Sequence, residues 1–331
     1  MRHLILLGTA GSTNGLYASR QRVFLEFCKA NVQPPLPATE SNVARFMELL
    51  ISQNRRGGTI EGYLAAIRHL SIVNGWGEPP KSGVLNLILK GAKKRLGPLP
   101  QRAAVTHRDL FQFLNFLDLT SFDDTLFWAL CTMGFFGALR VSEYLGPNPG
   151  FDPNVHLTVG DRRWGNRGFE VLLKSSKTDQ SGVGVLIPVG PSDSPVCAVK
   201  AMRLWDAMAL RGGLSLDLKA PLFRFRDGSP AGSRWFARRL AQVAEAAGVE
   251  GVVKPHSLRI GAATTANQLG FSTRQIKSLG RWSSDCFSKY IRVSGKEQGR
   301  LRGSLAPLSS LRGDSEKRDK ETYSLPCFPS V

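Results

Sequence analysis

Four short stretches of this sequence carry side chains whose chemical types suit work on a phosphate group. They are Arg140 with Glu143 in GALRVSE, Lys177 in KSSKTDQSG, His256 and Arg259 in KPHSLRIGAATTA, and Trp282 and Tyr290 in GRWSSDCFSKYIR. Together they supply two guanidiniums, one ammonium, one imidazole, one indole N–H and one phenol. Two arginines can hold the non-bridging oxygens of one phosphate bidentately.

The phenol is the group that could react. A tyrosine that attacks phosphorus stores the phosphodiester energy as a covalent ester. Without a metal ion, the charge that develops at phosphorus has to be stabilised by several cationic donors. The sequence has no paired-carboxylate metal site, no glycine-rich nucleotide loop and no GxSxG motif. We therefore expect neither a metal nor another cofactor.

Each of these residues also has a purely structural interpretation. Tyr290 and Trp282 taken singly are typical of core aromatics, and Arg140 with Glu143 is typical of a structural ion pair. Lys177 alone would be a solvated loop lysine, and one His-x-x-Arg pair on a helix is a weak signal. The functional interpretation depends on all of them occurring in one chain.

Hydrophobic periodicity predicts the elements that must position these side chains. Residues 12–97 predict an all-helical bundle with helices after Ser12 or Thr13 and over residues 39–51, 59–73 and 84–94. The stretch LGPLPQ, residues 96–101, is the predicted linker. The fourth helix ends in a basic cluster that we expect to contact a DNA backbone; its members are Lys90, Lys93, Lys94 and Arg95.

Residues 101–300 predict a second, mixed domain. We expect helices over residues 107–117, 123–143, 194–211, 233–247, 257–269 and 272–279, and strands over residues 169–174 and 183–189 that flank SSKTDQSG. Arg140 then lies at the end of a buried helix, and Lys177 at the tip of a hairpin. The predicted fold class is mainly α with a small antiparallel β-sheet. Residues 301–331, rich in Ser, Pro and charge, predict a flexible tail.

The charge of the chain limits the classes of partner. The 331 residues include 44 Lys and Arg and 26 Asp and Glu, which gives a net charge of +18. A surplus of this size favours a polyanionic partner, with nucleic acid ahead of an anionic membrane. Both predicted domains are basic and the tail is nearly neutral, so the pattern predicts two domains that clamp a DNA duplex.

Cysteine spacing and hydropathy exclude other classes. The five cysteines are scattered, without a CxxC pair or a nearby histidine, which argues against a zinc site and a disulfide framework. The most apolar run, residues 126–139, is too short to span a bilayer and predicts a buried helix. We expect no membrane segment.

The order of these elements resembles that of the tyrosine recombinase (phage integrase) family. Arginine, hairpin lysine, His-x-x-Arg, then His or Trp, then Tyr follow one another over about 150 residues, and the resemblance covers residues 12–300. The sequence of the segment HSLRIGAATTANQLGFSTRQIKSLGRWSSDCFSKYIR is most similar to that of the Crypton and DIRS-like recombinases of eukaryotic mobile elements. The resemblance implies an N-terminal core-DNA-binding domain and a catalytic domain that breaks and rejoins DNA.

The resemblance also implies a role for each residue. Arg140 and Arg259 would clamp the scissile phosphate, and Lys177 would protonate the departing 5′ oxygen. His256 would assist proton transfer. Trp282 would donate its indole N–H to the phosphate, and Tyr290 would form a 3′-phosphotyrosyl link.

Glu143 would orient groups of the site without touching the DNA.

Two departures from the family pattern matter. Relatives place the Trp or His nine residues before the Tyr, and here the spacing is eight. Lys174 is also an alternative to Lys177 as the general acid, because hairpin tips vary in length.

The resemblance leaves two further functions open. One is a type IB topoisomerase-like enzyme that relaxes DNA as a monomer, and the other is a domesticated DNA-binding protein that has lost catalysis. For a recombinase we expect double-stranded DNA as partner, a homo-tetramer on DNA that is a monomer or weak dimer when free, and a nuclear location in a eukaryote.

Overall fold

The computed structural model describes residues 8–79, 82–97, 100–146, 150–174 and 184–292, with the side chain of Ser12 excepted. Within these residues the chain is mostly helical with one small sheet, as the sequence predicts. The tail, residues 301–331, and Lys177 lie outside the described residues.

Four helices form the N-terminal part. They are α1 (Gly11–Ala30), α2 (Glu40–Ser52), α3 (Gly57–Val73) and α4 (Gly83–Leu96). Thr39 caps α2 by accepting a hydrogen bond from the N–H of Asn42 at 3.3 Å, and Ser82 caps α4 in the same way. The N-cap of α1 is Ala10, so the predicted cap at Ser12 or Thr13 is wrong.

The remaining helices build the larger part of the chain. They are α5 (His107–Phe113), α6 (Phe122–Phe136), α7 (Val141–Tyr144), α8 (Ala198–Arg211), α9 (Ser233–Ala246), α10 (His256–Gln268) and α11 (Thr273–Gly280). Short 3-10 helices cover Leu114–Phe116, Val159–Asp161 and Asp285–Lys289.

Three antiparallel strands form the sheet in the order β1-β2-β3. They are β1 (Arg162–Gly165), β2 (Gly168–Leu173) and β3 (Val185–Val189). The two predicted strands are β2 and β3, with Phe169 opposite Val189. The sequence analysis missed β1, because its residues RRWG lack the β-branched alternation that marks a strand.

The predicted single helix over residues 123–143 is wrong. It is interrupted after Phe136, where Ala138 takes a positive φ of 44°. The chain then restarts as α7, and Arg140 is the N-cap of that short helix, not the end of a buried one. At this position beyond the interruption, the side chain of Arg140 is partly exposed.

Buried side chains of the described residues form three clusters. The first joins α1 to α4 around Phe24, Phe46 and Met47. The second surrounds α6, which is buried on almost every side and packs against α8 and α9. In the sequence, the first cluster precedes the predicted linker and the second follows it. The domain boundaries stay a prediction. The third is small and contains Trp282 and Phe287.

No helix within the described residues is both long and apolar enough to cross a membrane.

Candidate active site

Arg259 lies at the centre of the site, on the first turn of α10. Its side chain is 0% exposed, and its guanidinium donates hydrogen bonds to the carbonyl oxygens of Ala138 and of Gly280, the latter at 2.5 Å. Burial, followed by the positive charge of Arg140, lowers the pKa of Arg259 to about 10. The group is therefore still a cation at neutral pH.

Arg140 stands at the interruption between α6 and α7. Its backbone N–H and its Nη1 donate to the two carboxylate oxygens of Glu143, at 2.8 and 2.7 Å. The Arg140 side chain is 23% exposed, whereas that of Glu143 is 2% exposed. The carboxylate of Glu143 thus holds Arg140 in place, while part of the arginine side chain remains exposed to solvent.

Arg281 is a member of this cluster that sequence reasoning missed. Its Nη2 donates to the second oxygen of Glu143 at 2.9 Å, and its Nη1 donates to the carbonyl oxygen of Gly137 at 3.1 Å. Burial first of all lowers its pKa, and Arg140 lowers it further. A signal was present in the sequence, since an arginine stands in GRW where a helix ends.

Trp282, Tyr290 and His256 form an aromatic stack beside these arginines. The rings of Trp282 and Tyr290 stack with centroids 5.5 Å apart and planes 29° apart. The ring of His256 meets that of Tyr290 edge-on at 5.1 Å. Trp282 also accepts the cation of Arg259 on its face, with 4.6 Å between the guanidinium carbon and the ring centroid.

The eight-residue spacing therefore does bring Trp282 and Tyr290 together. The chain between them does not continue α11 but forms the 3-10 helix Asp285–Lys289, which has a different rise and turn per residue from an α-helix. Thr264 on α10 holds the end of this segment, because its hydroxyl donates to the carbonyl oxygen of Tyr290 at 3.2 Å.

Two polar atoms of the site are buried and have no hydrogen-bond partner within the described residues. They are the indole nitrogen of Trp282 and Nε of Arg259. Both are donors, so the group that would satisfy them is an acceptor. A phosphate oxygen fits this requirement and the surrounding positive charge.

His256 is held neutral by its surroundings. Burial, followed by the positive charges of Arg102, Arg259 and Arg140, lowers its pKa to about 4. Arg102 is a second residue that sequence reasoning missed. It belongs to the chain just after the predicted linker, which is tied to the segment before His256 by a hydrogen bond from the N–H of Ala103 to the carbonyl oxygen of Val252 at 3.0 Å.

Lys174 is engaged elsewhere. At the end of β2 its ammonium pairs with Asp161 at 2.5 Å and donates to the carbonyl oxygen of Pro153 at 2.6 Å. These contacts tie the end of β2 to Asp161 and Pro153. Lys177 falls in residues 175–183, outside the described residues, and its assignment as general acid stays a prediction.

The basic cluster on α4 is not part of this site. Lys90, Lys93, Lys94 and Arg95 are all exposed, and Lys93 pairs with Glu61 of α3 at 2.5 Å. Their predicted contact with DNA stays a prediction. Among the described residues, no group of three or more His, Cys, Asp or Glu side chains is placed to hold a metal ion.

No protein-family model matches the chain, and no curated protein matches it at a significant level. Solved structures do. The post-cleavage complex of XerH site-specific recombinase with its difH substrate aligns over 88% of this chain and 79% of that chain, with a TM-score of 0.62 and 15% identity. The chain has the tyrosine recombinase fold.

Two further structures carry the same fold. The Tn1549 transposon integrase in complex with transposon right end DNA covers 90% of this chain and 95% of that chain, with a TM-score of 0.60 and 13% identity. A lambda integrase dimer bound to a COC′ core site covers 88% of this chain and 92% of that chain, with a TM-score of 0.56 and 16% identity. The predicted fold class, mainly α with a small antiparallel β-sheet, is thereby confirmed. The Crypton and DIRS-like placement stays a prediction.

Proposed function

We propose that this protein is a site-specific DNA recombinase or integrase that cleaves and rejoins strands through a covalent 3′-phosphotyrosine. The observation that carries the proposal is the convergence of five side chains from three separate stretches of sequence. Arg140, Arg259, His256, Trp282 and Tyr290 meet in one cationic site, where two buried donors have no partner among the described residues. The tyrosine recombinase fold of the chain supports the same conclusion.

In this proposal the scissile phosphate is bound by the arginines. Arg140 offers the exposed part of its guanidinium, and Arg259 offers Nε, since its terminal nitrogens already donate to Ala138 and Gly280. The indole N–H of Trp282 supplies a further donor. Donors held in place before the reaction stabilise the charge that develops on the phosphate oxygens.

The chemistry then exchanges one phosphodiester for another. The Tyr290 oxygen bonds to phosphorus, the bond from phosphorus to the 5′ oxygen breaks, and the 5′ oxygen takes a proton. His256, neutral above pH 4, can accept the tyrosine proton. Lys177 is the proposed donor to the 5′ oxygen. Attack by a 5′ hydroxyl of another strand reverses these steps, so joining needs no nucleotide hydrolysis, and we propose that it needs no metal ion.

The proposed assembly is a homo-tetramer that brings two DNA sites together. One solved structure with the same fold is a lambda integrase tetramer bound to a Holliday junction, with a TM-score of 0.56 and 14% identity. Strand exchange between two duplexes requires four tyrosines, one for each strand. We propose this assembly for the DNA-bound state, with a nuclear location if the host is eukaryotic.

A trapping experiment tests the proposal. The protein is incubated in EDTA with a library of nicked duplexes of randomised sequence, so that the cleaved 5′ end diffuses away and the covalent intermediate accumulates. Adducts that survive detergent are isolated, and their DNA is sequenced to identify the target site. We expect an adduct with the wild-type protein and none with Tyr290→Phe, which should still bind DNA.

Tyr63→Phe on α3 is the matched control, because it removes a phenol oxygen from the N-terminal helices and should form the adduct normally. An adduct with Tyr290→Phe would show that another residue is the nucleophile. DNA binding without any adduct would favour the domesticated binding protein, and relaxation of supercoiled plasmid by the monomer would favour the topoisomerase-like function.

A further inference from the structure

The carboxylate of Glu143 is shared by two arginines on different elements. Nη1 of Arg140, at the start of α7, donates to Oε1 at 2.7 Å. Nη2 of Arg281, at the end of α11, donates to Oε2 at 2.9 Å. We propose that Arg281 is a positioning residue, which sets the Trp282–Tyr290 segment in register with the phosphate-binding Arg140. This inference rests on the proposed recombinase function.

The backbone at Arg281 adopts a conformation that is strained for a residue with a side chain. The helix α11 ends in a Schellman arrangement, in which the N–H of Trp282 bonds to the carbonyl oxygen of Lys277 at 3.0 Å and that of Arg281 bonds to Ser278 at 3.1 Å. Arg281 takes the left-handed conformation of this motif, with φ 55° and ψ 43°. Glycine is the residue that adopts this conformation without strain. An arginine here is explained by what its guanidinium holds.

Those contacts join two segments that are far apart in sequence. Besides Glu143, the guanidinium of Arg281 donates to the carbonyl oxygens of Gly137 and Ala138, at 3.1 and 3.5 Å. Both carbonyls belong to the interruption that precedes Arg140. Arg281 therefore ties the residue before Trp282 to the loop that presents Arg140.

Arg281 differs from Arg259 in what remains free. Arg259 keeps a buried Nε without a partner within the described residues, so it can still bind an anion. Within the part of the chain that the structure describes, the guanidinium of Arg281 donates to oxygen atoms of Gly137, Ala138 and Glu143. Its effect on a phosphate would be exerted through Arg140 and Trp282.

Loss of Arg281 would disturb both neighbours. Oε2 of Glu143 would keep only the backbone N–H of Arg140 as a donor, and Arg140 alone would then balance the charge of the buried carboxylate. The guanidinium of Arg140 would then be drawn away from the phosphate. The Trp282–Tyr290 segment would at the same time lose one of its side-chain ties to the Arg140 loop, and only the tie through Arg259, which bonds to Ala138 and Gly280, would remain.

Arg281→Gly separates this role from simple helix capping. Glycine removes every side-chain contact but relaxes the left-handed backbone, and because these two effects on stability oppose each other, the melting temperature should stay close to that of the wild type. The target duplex from the trapping experiment is used at saturating protein in single-turnover cleavage. We expect Arg281→Gly to cleave about 10- to 100-fold more slowly, with its DNA affinity within about 3-fold of the wild type.

Two companion variants complete the test. Arg281→Lys keeps the charge and part of the reach, so it should recover part of the rate. Arg274→Ala removes an exposed arginine from the same helix and should cleave at the wild-type rate.

The outcomes separate the inference from the function on which it rests. If the wild type forms no adduct on any duplex, the proposed function fails and this inference fails with it. If the wild type cleaves and Arg281→Gly cleaves equally fast, only the positioning role is overturned. A slow Arg281→Gly variant that also melts well below the wild type, with no recovery in Arg281→Lys, would show a purely structural role.

Discussion

The buried indole nitrogen of Trp282 is the atom at the residue scale that points most directly to an anionic ligand. It has no hydrogen-bond partner within the described residues, while its ring is fixed by Tyr290, Phe287 and the cation of Arg259. A core tryptophan without a ligand would normally find an acceptor for this N–H. The packing of the ring and the donor function of the N–H can therefore be tested separately.

We predict that Trp282→Phe keeps the stack but slows cleavage. A hydrogen bond to a charged group contributes about 1.5–3 kcal/mol, so the loss should reduce the single-turnover rate by about 10- to 100-fold. DNA affinity should change much less, because most binding comes from other phosphates. Trp76→Phe, at an exposed position after α3, is the control. An unchanged rate in Trp282→Phe would assign the indole N–H no role.

His256 predicts a dependence of stability on pH. Its folded-state pKa is about 4 and its ordinary value is 6.5, so the unfolded chain takes up the proton first as the pH falls. Stability should therefore decrease between about pH 6.5 and pH 4. We expect the unfolding midpoint of the wild type to fall more steeply over this interval than that of His256→Asn. Parallel curves would show that His256 titrates normally.

At the scale of elements, the site depends on close approaches that only glycine allows. A Cβ at Gly280 would lie 1.9 Å from the ring of Trp282, and one at Gly261 would lie 1.6 Å from the carbonyl oxygen of Val105. The second approach lets α10 lie against the backbone of the segment that carries Arg102. Position and orientation of His256 and Arg259 follow from this packing.

Gly261→Ala should consequently be strongly destabilising. The overlap is with backbone, which cannot move aside as a flexible side chain can, so we expect a loss of about 3 kcal/mol in the free energy of unfolding. Gly91→Ala is the matched control, because Gly91 is exposed on α4 with open space around it. That variant should gain about 1 kcal/mol from helix propensity. Denaturant unfolding measures both, and equal stabilities would contradict the packing argument.

At the scale of the whole molecule, the net charge of +18 is spread over both parts of the chain. Arginines bring positive charge into the site itself, and exposed cations lie on α4. A protein that binds DNA through such surfaces releases counterions, so its affinity falls steeply with salt.

Substitutions on α4 can measure its share of this binding. We predict that Lys94→Gln with Arg95→Gln weakens DNA binding for all sequences alike and lowers the slope of log affinity against log salt by about 0.9 for each lost phosphate contact. The control replaces two exposed lysines elsewhere, Lys200→Gln with Lys219→Gln, and so matches the change in net charge. If both double variants change the slope equally, α4 has no specific contact with DNA.

Local patterns in the sequence were sufficient to predict most helices and the strands β2 and β3. Periodicity, the cap at Thr39 and the His-x-x-Arg spacing act within a few residues, and such interactions can be recognised without knowing the fold. The same patterns led to the wrong continuous helix over residues 123–143, because the interruption at Ala138 is stabilised by Arg259 and Arg281, more than 100 residues away.

The contacts within the site required the folded chain. The ion pairs of Arg281 with Glu143 and of Lys174 with Asp161 became evident only in the folded chain. The meeting of Trp282 and Tyr290 across eight residues depends on the 3-10 helix between them, which the packing of Phe287 and the hydroxyl of Thr264 support. Side-chain partners so distant in sequence are chosen by packing, and packing is a property of the whole fold.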